Sequence, residues 1–172
     1  MAQLPMPDLP EGDLRDLIAE LHSLHARAGW PSVREMARGQ SFSYNVVHEL
    51  FTQPRNDPPS LPVLLAVVSA LANMDTRSDS ERVLDKFDKL WQAVRANRFV
   101  EARSRLTSRE RTVMTLLGKG ASSHAIADEL MMSIGTAKAY VRRVYEKLGV
   151  SSKNELLEAI SALEASADDP LR

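Results

Sequence analysis

Lys138, Arg142, Arg143 and Lys147 carry the chemistry most easily read from this chain. Their spacing sets Lys138 against Arg142, and Arg143 against Lys147, one turn apart on a helix drawn over Ser133 to Val150. Like charges so placed destabilise an isolated helix by roughly 0.2–0.5 kcal/mol per pair. A polyanion would relieve that cost, so the face has the chemistry of a phosphate-binding surface. The alternative is a solvated basic face on an ordinary bundle helix. Ile134, Ala137, Val141, Val144 and Leu148 recur at steps of three and four on the same stretch and form a stripe for a core. Ser133 stands where an N-cap belongs and Gly149 where a helix ends in a left-handed residue.

The neighbouring segments must position that helix. Thr107-Ser-Arg-Glu110 reads as a capping box, followed by Val113, Met114, Leu116 and Leu117 and a stop near Gly118 to Gly120. Ser122 caps a short helix holding Ile126, Ala127, Leu130 and Met131. Ser152-Lys-Asn-Glu155 reads as a further capping box, opening a last helix with Leu156, Leu157, Ile160 and Leu163. A short capped helix, a tight turn and a longer helix with a basic face make a helix-turn-helix, a motif that lays its second helix in a major groove. Lys138 and Arg142 lie early enough in that helix to reach base edges, whereas Arg143 and Lys147 point to phosphate or to a nearby Glu. Ser122, Ser123 and His124, at a helix start, are candidates for backbone contacts to phosphate.

The first half also reads as helical. Asp13 to Ala28 carries Leu14, Leu17/Ile18, Leu21 and Leu24/His25 on one face, and Gly29 and Trp30-Pro31 end it. Ser32-Val-Arg-Glu35 is a capping box, and Tyr44 to Thr52 forms a third helix. Pro54 to Ser60 is a loop, Leu61 to Met74 a buried helix, and Asp75 to Ser80 a polar break. A long helix then runs from about Asp79 towards Ser104. Trp30 and Trp91 are expected to be core anchors. His22 and His25 stand three apart but lack a third ligand, so they read as partly buried helix residues rather than a metal site.

Composition narrows the function classes. The 172 residues include no cysteine, which excludes disulfides, thiolate zinc sites and a cysteine nucleophile. No glycine loop for nucleotides, no Ser/His/Asp signature and no metal-helix motif is present, so no enzyme, cofactor or metal is expected. No run approaches a membrane span, and the expected location is cytoplasmic, associated with the nucleoid. The net charge of −1 conceals a division. Residues 1–100 carry 11 Lys/Arg against 13 Asp/Glu, net −2, and residues 164–172 carry 1 against 3, net −2, whereas residues 101–163 carry 10 against 7, net +3. Positive charge therefore gathers around the helix at Ser133.

Residues 106–160 resemble the four-helix DNA-binding domain of LuxR-type transcriptional regulators. The resemblance is carried by Leu106-Thr-Ser-Arg-Glu110, the Gly120 stop, Ile126-Ala127, Thr136-Ala-Lys138, and Lys147-Leu-Gly-Val150 before Ser151-Ser152. It implies that Lys138, Ala139 and Arg142 face bases or nearby phosphates, that Thr107 and Arg109 lie near the core and backbone, and that the last helix mediates dimerisation; Thr136 and Arg143 complete the expected DNA-binding set. Ala137 stands where Val is usual, and Tyr140 where His is frequent. The first half resembles an Xre-type helix-turn-helix; its second helix lacks Lys and Arg, but Ser43, Asn45 and His48 could read bases or meet a partner.

The expected fold is therefore all-α: two small helical domains joined by a long connector helix. The boundaries are a flexible tail at 1–12, an Xre-like domain at 13–77, the connector at 78–105, a LuxR-type domain at 106–163 and a flexible tail at 164–172. The expected function is sequence-specific, dimeric regulation of promoters on double-stranded DNA, with RNA polymerase, a sigma factor or another regulator as further partners. The alternative is a helical interaction adaptor with little DNA affinity. A third possibility is a ligand sensor with a pocket around Leu61 to Met74.

Overall fold

A computed structural model of the protein describes residues 3–54, 58–75, 77 and 79–167. Among them every regular element is a helix: α1 (Asp13–Arg27), α2 (Val33–Met36), α3 (Tyr44–Thr52), α4 (Leu61–Met74), α5 (Ser80–Ser104), α6 (Ser108–Gly118), α7 (Ser123–Glu129), α8 (Ile134–Leu148) and α9 (Lys153–Ala167). The chain divides into two compact units between Val94 and Arg95, a point inside α5. Phe87 and Val94 of α5 belong to the core of the first unit, and Phe99 to that of the second. No helix among the described residues is long and apolar enough to cross a membrane.

The first core follows from helical phase. Leu17, Leu21 and Leu24 of α1 meet Met36, then Val47, Leu50 and Phe51 of α3, then Leu64, Val67, Val68 and Leu71 of α4. Fully burying side chains such as Phe51 and Phe87 contributes roughly 1.5–3 kcal/mol each by removing apolar surface from water. The Ser32–Glu35 capping box is formed. Leu4, in the stretch expected to be a free tail, packs against this core. Of the expected loop at 54–60, positions 55–57 lie outside the described residues, as do positions 76 and 78 of the polar break.

Two expectations change here. His25 is not partly but fully buried, and its Nε2 donates to the Pro31 carbonyl at 2.8 Å. Trp30 is half-buried rather than a core anchor; it takes a left-handed backbone conformation after Gly29 and meets His25 edge-on at 5.2 Å. Trp91 does pack on the core while its indole N–H reaches the Pro59 carbonyl at 2.7 Å. Among the described residues no group of His, Asp or Glu is arranged to hold a metal ion.

In the second unit, Leu106, Val113, Met114 and Leu117 pack with Ile126 and Ala127 of α7, with Ala137, Val144 and Leu148 of α8, and with Leu156 and Ala159 of α9. Gly118 allows a close approach of α9, since a Cβ there would lie 3.2 Å from Ile160 Cδ1. Helix α9 continues to Ala167, past position 164 where a frayed tail was expected. Positions 168–172 and the Leu163 side chain lie outside the described residues.

Candidate nucleic-acid interface

The surface around α8 is set by hydrogen bonds that sequence alone largely prescribes. Ser133 Oγ accepts the Thr136 N–H at 3.1 Å and pairs with the Thr136 hydroxyl at 2.8 Å, which fixes where α8 starts. Gly149 closes it at φ 67°, with the Val150 N–H on the Tyr145 carbonyl at 3.1 Å. Ala137, Val144 and Leu148 are buried and Val141 is half-buried. Ile134, expected in the same stripe, is instead 36% exposed at the first position of α8. The small Ala137 is fully buried, so alanine fits where a larger β-branched side chain was the usual residue.

On the opposite side Thr136, Lys138, Ala139, Arg142 and Arg143 are all exposed. Lys138 has no acidic partner among the described residues. Arg142 Nε lies 3.3 Å from Glu146 Oε1, and the Arg143 guanidinium stands 5.9 Å from the centre of the half-buried Tyr140 ring. Of the two expected partners for Lys147, phosphate or a nearby Glu, the fold supplies the Glu. The Lys147 ammonium donates to Glu110 Oε2 at 2.7 Å, clasping the end of α8 to the start of α6. Glu110 is thus shared between two tasks, since the same oxygen accepts the Thr107 N–H at 2.8 Å and its hydroxyl at 2.9 Å. The Lys147 hydrogen bond, followed by that from the Thr107 backbone, lowers the Glu110 pKa to about 2 against burial, which opposes it. Arg109 is exposed beside this capping box.

Helix α7 is capped by Ser122, whose Oγ accepts the Ala125 N–H at 3.2 Å. Ser123 is half-buried and His124 exposed in its first turn, where a helix supplies no carbonyl for its own N–H groups. The turn to α8 is a Schellman motif: the Met132 N–H reaches the Ala127 carbonyl at 2.9 Å and the Met131 N–H the Asp128 carbonyl at 3.3 Å. Met131 takes φ 50°, the place glycine ordinarily fills, and is 95% exposed. Left-handed backbone costs an L-residue roughly 1–2 kcal/mol, only partly offset by the extra unfolded-state freedom of glycine. Met131→Gly is therefore expected to raise stability by about 0.5–1 kcal/mol, measured as a higher urea midpoint at unchanged slope. Equal or lower stability would contradict this account of the turn.

The Ser152 box forms as expected on its serine side, and only its carboxylate partner is shifted by one residue. Glu155 N–H donates to Ser152 Oγ at 3.2 Å, but the Glu155 carboxylate reaches back to the Ser151 N–H at 2.6 Å and the Ser151 hydroxyl at 2.7 Å. Lys153 Nζ meanwhile donates to the Gly120 carbonyl at 2.6 Å and ties α9 to the end of α6. In the first unit, Ser43, Asn45 and His48 are exposed on α3 beside exposed Tyr44 and Val46. Ser43 forms no side-chain cap, and His48 Nδ1 is 3.2 Å from the Thr52 hydroxyl. An open groove of about 190 Å³ lies alongside, lined by Val46, Glu49, Leu50, Pro54, Pro59 and Val63 among others.

The arrangement of α6 to α9, with a capped short helix leading by a tight turn into an exposed basic helix, is a helix-turn-helix. Residues 104–159 match the family described as bacterial regulatory proteins, luxR family, and form a LuxR-family helix-turn-helix domain. Among known proteins, the chain is 48% identical over 48 residues to the probable transcriptional regulatory protein NarL of Mycobacterium tuberculosis, covering 28% of this chain and 22% of that protein. It is 38% identical over 60 residues to the HTH-type transcriptional regulator MalT of Yersinia pestis, covering 35% of this chain and 7% of that one. The chain thus spans under a quarter of the length of either relative. No solved structure matches it. Residues 1–94 lie outside the stretch matched by the family.

Proposed function

We propose that this chain is a sequence-specific DNA-binding transcriptional regulator that holds promoter DNA through α8. The observation that carries the reading is the two-sided character of α8 within a LuxR-family domain. Ala137, Val144 and Leu148 are buried on one side, while Thr136, Lys138, Ala139 and Arg142 stand exposed on the other. Lys138 and Arg142 present donors suited to guanine edges and phosphates, and Ala139 between them is small enough to let backbone and base approach. Arg143 is assigned to phosphate. The net charge of +3 over residues 101–163 favours encounter with a polyanion. The chain binds as a dimer, with two copies of α8 in half-sites about 10 base pairs apart, and it acts in the cytoplasm on the nucleoid.

Salt tests this directly. Each phosphate neutralised steepens the fall of log affinity with log salt by about 0.9, so a slope of roughly −3 or steeper is expected for a duplex promoter fragment. A flat salt response, or no binding, would contradict the reading and favour the adaptor alternative.

For the first unit we favour a protein or ligand partner over a second DNA contact. Helix α3 carries no Lys or Arg, and its exposed Val46 and Glu49 border the apolar groove. Ser43, Asn45 and His48 would belong to that partner surface. RNA polymerase, a sigma factor or another regulator are the partner classes that suit a promoter-bound protein.

A further inference from the structure

We propose that Glu146 is a positioning residue for Arg142 that sharpens discrimination between the matching site and other DNA. The inference rests on the assignment of α8 as the DNA-reading helix. Lys138, Arg142 and Glu146 stand at steps of four and so form one row along α8. Glu146 is the one carboxylate in the sequence of α8, is 62% exposed, and holds the Arg142 guanidinium at 3.3 Å. The exposed pair adds little to folding, so stability is a thin reason for an acidic residue on this ridge. Its partner is specific. Lys147 is engaged by Glu110 at 2.7 Å, and Arg143 lies over Tyr140, so Arg142 is the cation that Glu146 governs.

On an arbitrary duplex, Arg142 has only phosphate to gain. There the Glu146 carboxylate competes with phosphate for the guanidinium and weakens that contact by up to the small worth of the exposed pair. On the matching site a base edge offers a bidentate acceptor, which outweighs the pair and draws Arg142 away. Glu146 therefore weakens a phosphate contact on the wrong DNA, whereas on the right DNA the bidentate base contact outweighs the weak surface pair.

The test compares the full chain, Glu146→Gln, Arg142→Ala and the double variant on two duplexes of equal length, one enriched by selection and one scrambled, between 50 and 200 mM salt. Glu146→Gln is expected to bind the scrambled duplex about threefold tighter, with a salt slope steeper by up to about 0.9. The enriched duplex should tighten less than twofold. In the Arg142→Ala background the gain on the scrambled duplex should largely vanish. Equal tightening on both duplexes, no tightening on the scrambled one, or the same gain without Arg142 would each overturn the proposal. A wild-type chain that binds neither duplex would overturn the DNA reading beneath it instead.

Discussion

Replacing Lys138 and Arg142 together by alanine is expected to weaken binding to the selected DNA site about 100-fold without unfolding the protein. A base-edge contact by Arg or Lys is worth roughly 1–3 kcal/mol of discrimination, and each phosphate contact adds a salt-dependent increment. Both side chains are exposed, Lys138 has no acidic partner among the described residues, and alanine is a better helix former than either. Thermal unfolding should therefore be unchanged or slightly raised, while the salt slope falls by about 1 to 2. Equal affinity in variant and wild type would remove these residues from the reading surface. A collapse of the helical signal would show that they support the fold instead.

The second large effect is expected at Glu110. This carboxylate closes the capping box of α6 and holds Lys147 of α8, and its side chain is only 6% exposed. Glu110→Ala removes a cap worth about 1 kcal/mol and a charge-assisted hydrogen bond of about 1.5–3 kcal/mol. Lys147 is 41% exposed and can turn to water, so the loss should stay below the roughly 3–5 kcal/mol seen when a fully buried pair is broken. A destabilisation of about 2 kcal/mol is expected, read in a denaturant titration of the helical signal. The pH dependence has a definite sign. Because the folded pKa is lowered to about 2 from an ordinary 4.5, the contribution is complete above the unfolded value and is lost as pH falls towards 2. Glu110→Gln should flatten that acid limb; an identical acid profile would contradict the clasp.

What was legible in the sequence was mostly local. Ser133, Thr107 with Glu110, Ser32 with Glu35, and Gly149 act within one turn of their own backbone, so spacing alone identifies them. The bounds of α3 and α4 follow instead from prolines, Pro54 beyond the end of α3 and Pro62 in the first turn of α4, since neither Ser43 nor Ser60 forms a side-chain cap. The ties across the fold were not legible. Glu110 and Lys147 are 37 residues apart, and Lys153 and the Gly120 carbonyl 33 apart, and no periodicity signals which distant cation will close on which acceptor. Ile134 fits the apolar stripe by phase, yet phase alone does not say how much of a helix's first turn is covered. The shift from Ser152 to Ser151 came from the reach of the Glu155 side chain, which spacing specifies only to within a residue. Glu146 was within reach of sequence reasoning, since it follows Arg142 by four. By spacing alone, though, it is indistinguishable from an ordinary exposed i,i+4 pair.

The central claim is that the exposed face of α8 reads DNA sequence, and selection from a random duplex pool tests it most directly. The wild-type chain is predicted to enrich one sequence, with two half-sites about 10 base pairs apart, and the Lys138→Ala/Arg142→Ala variant to lose that enrichment. A pool that stays random with the wild type, or that the variant enriches equally, would contradict the account.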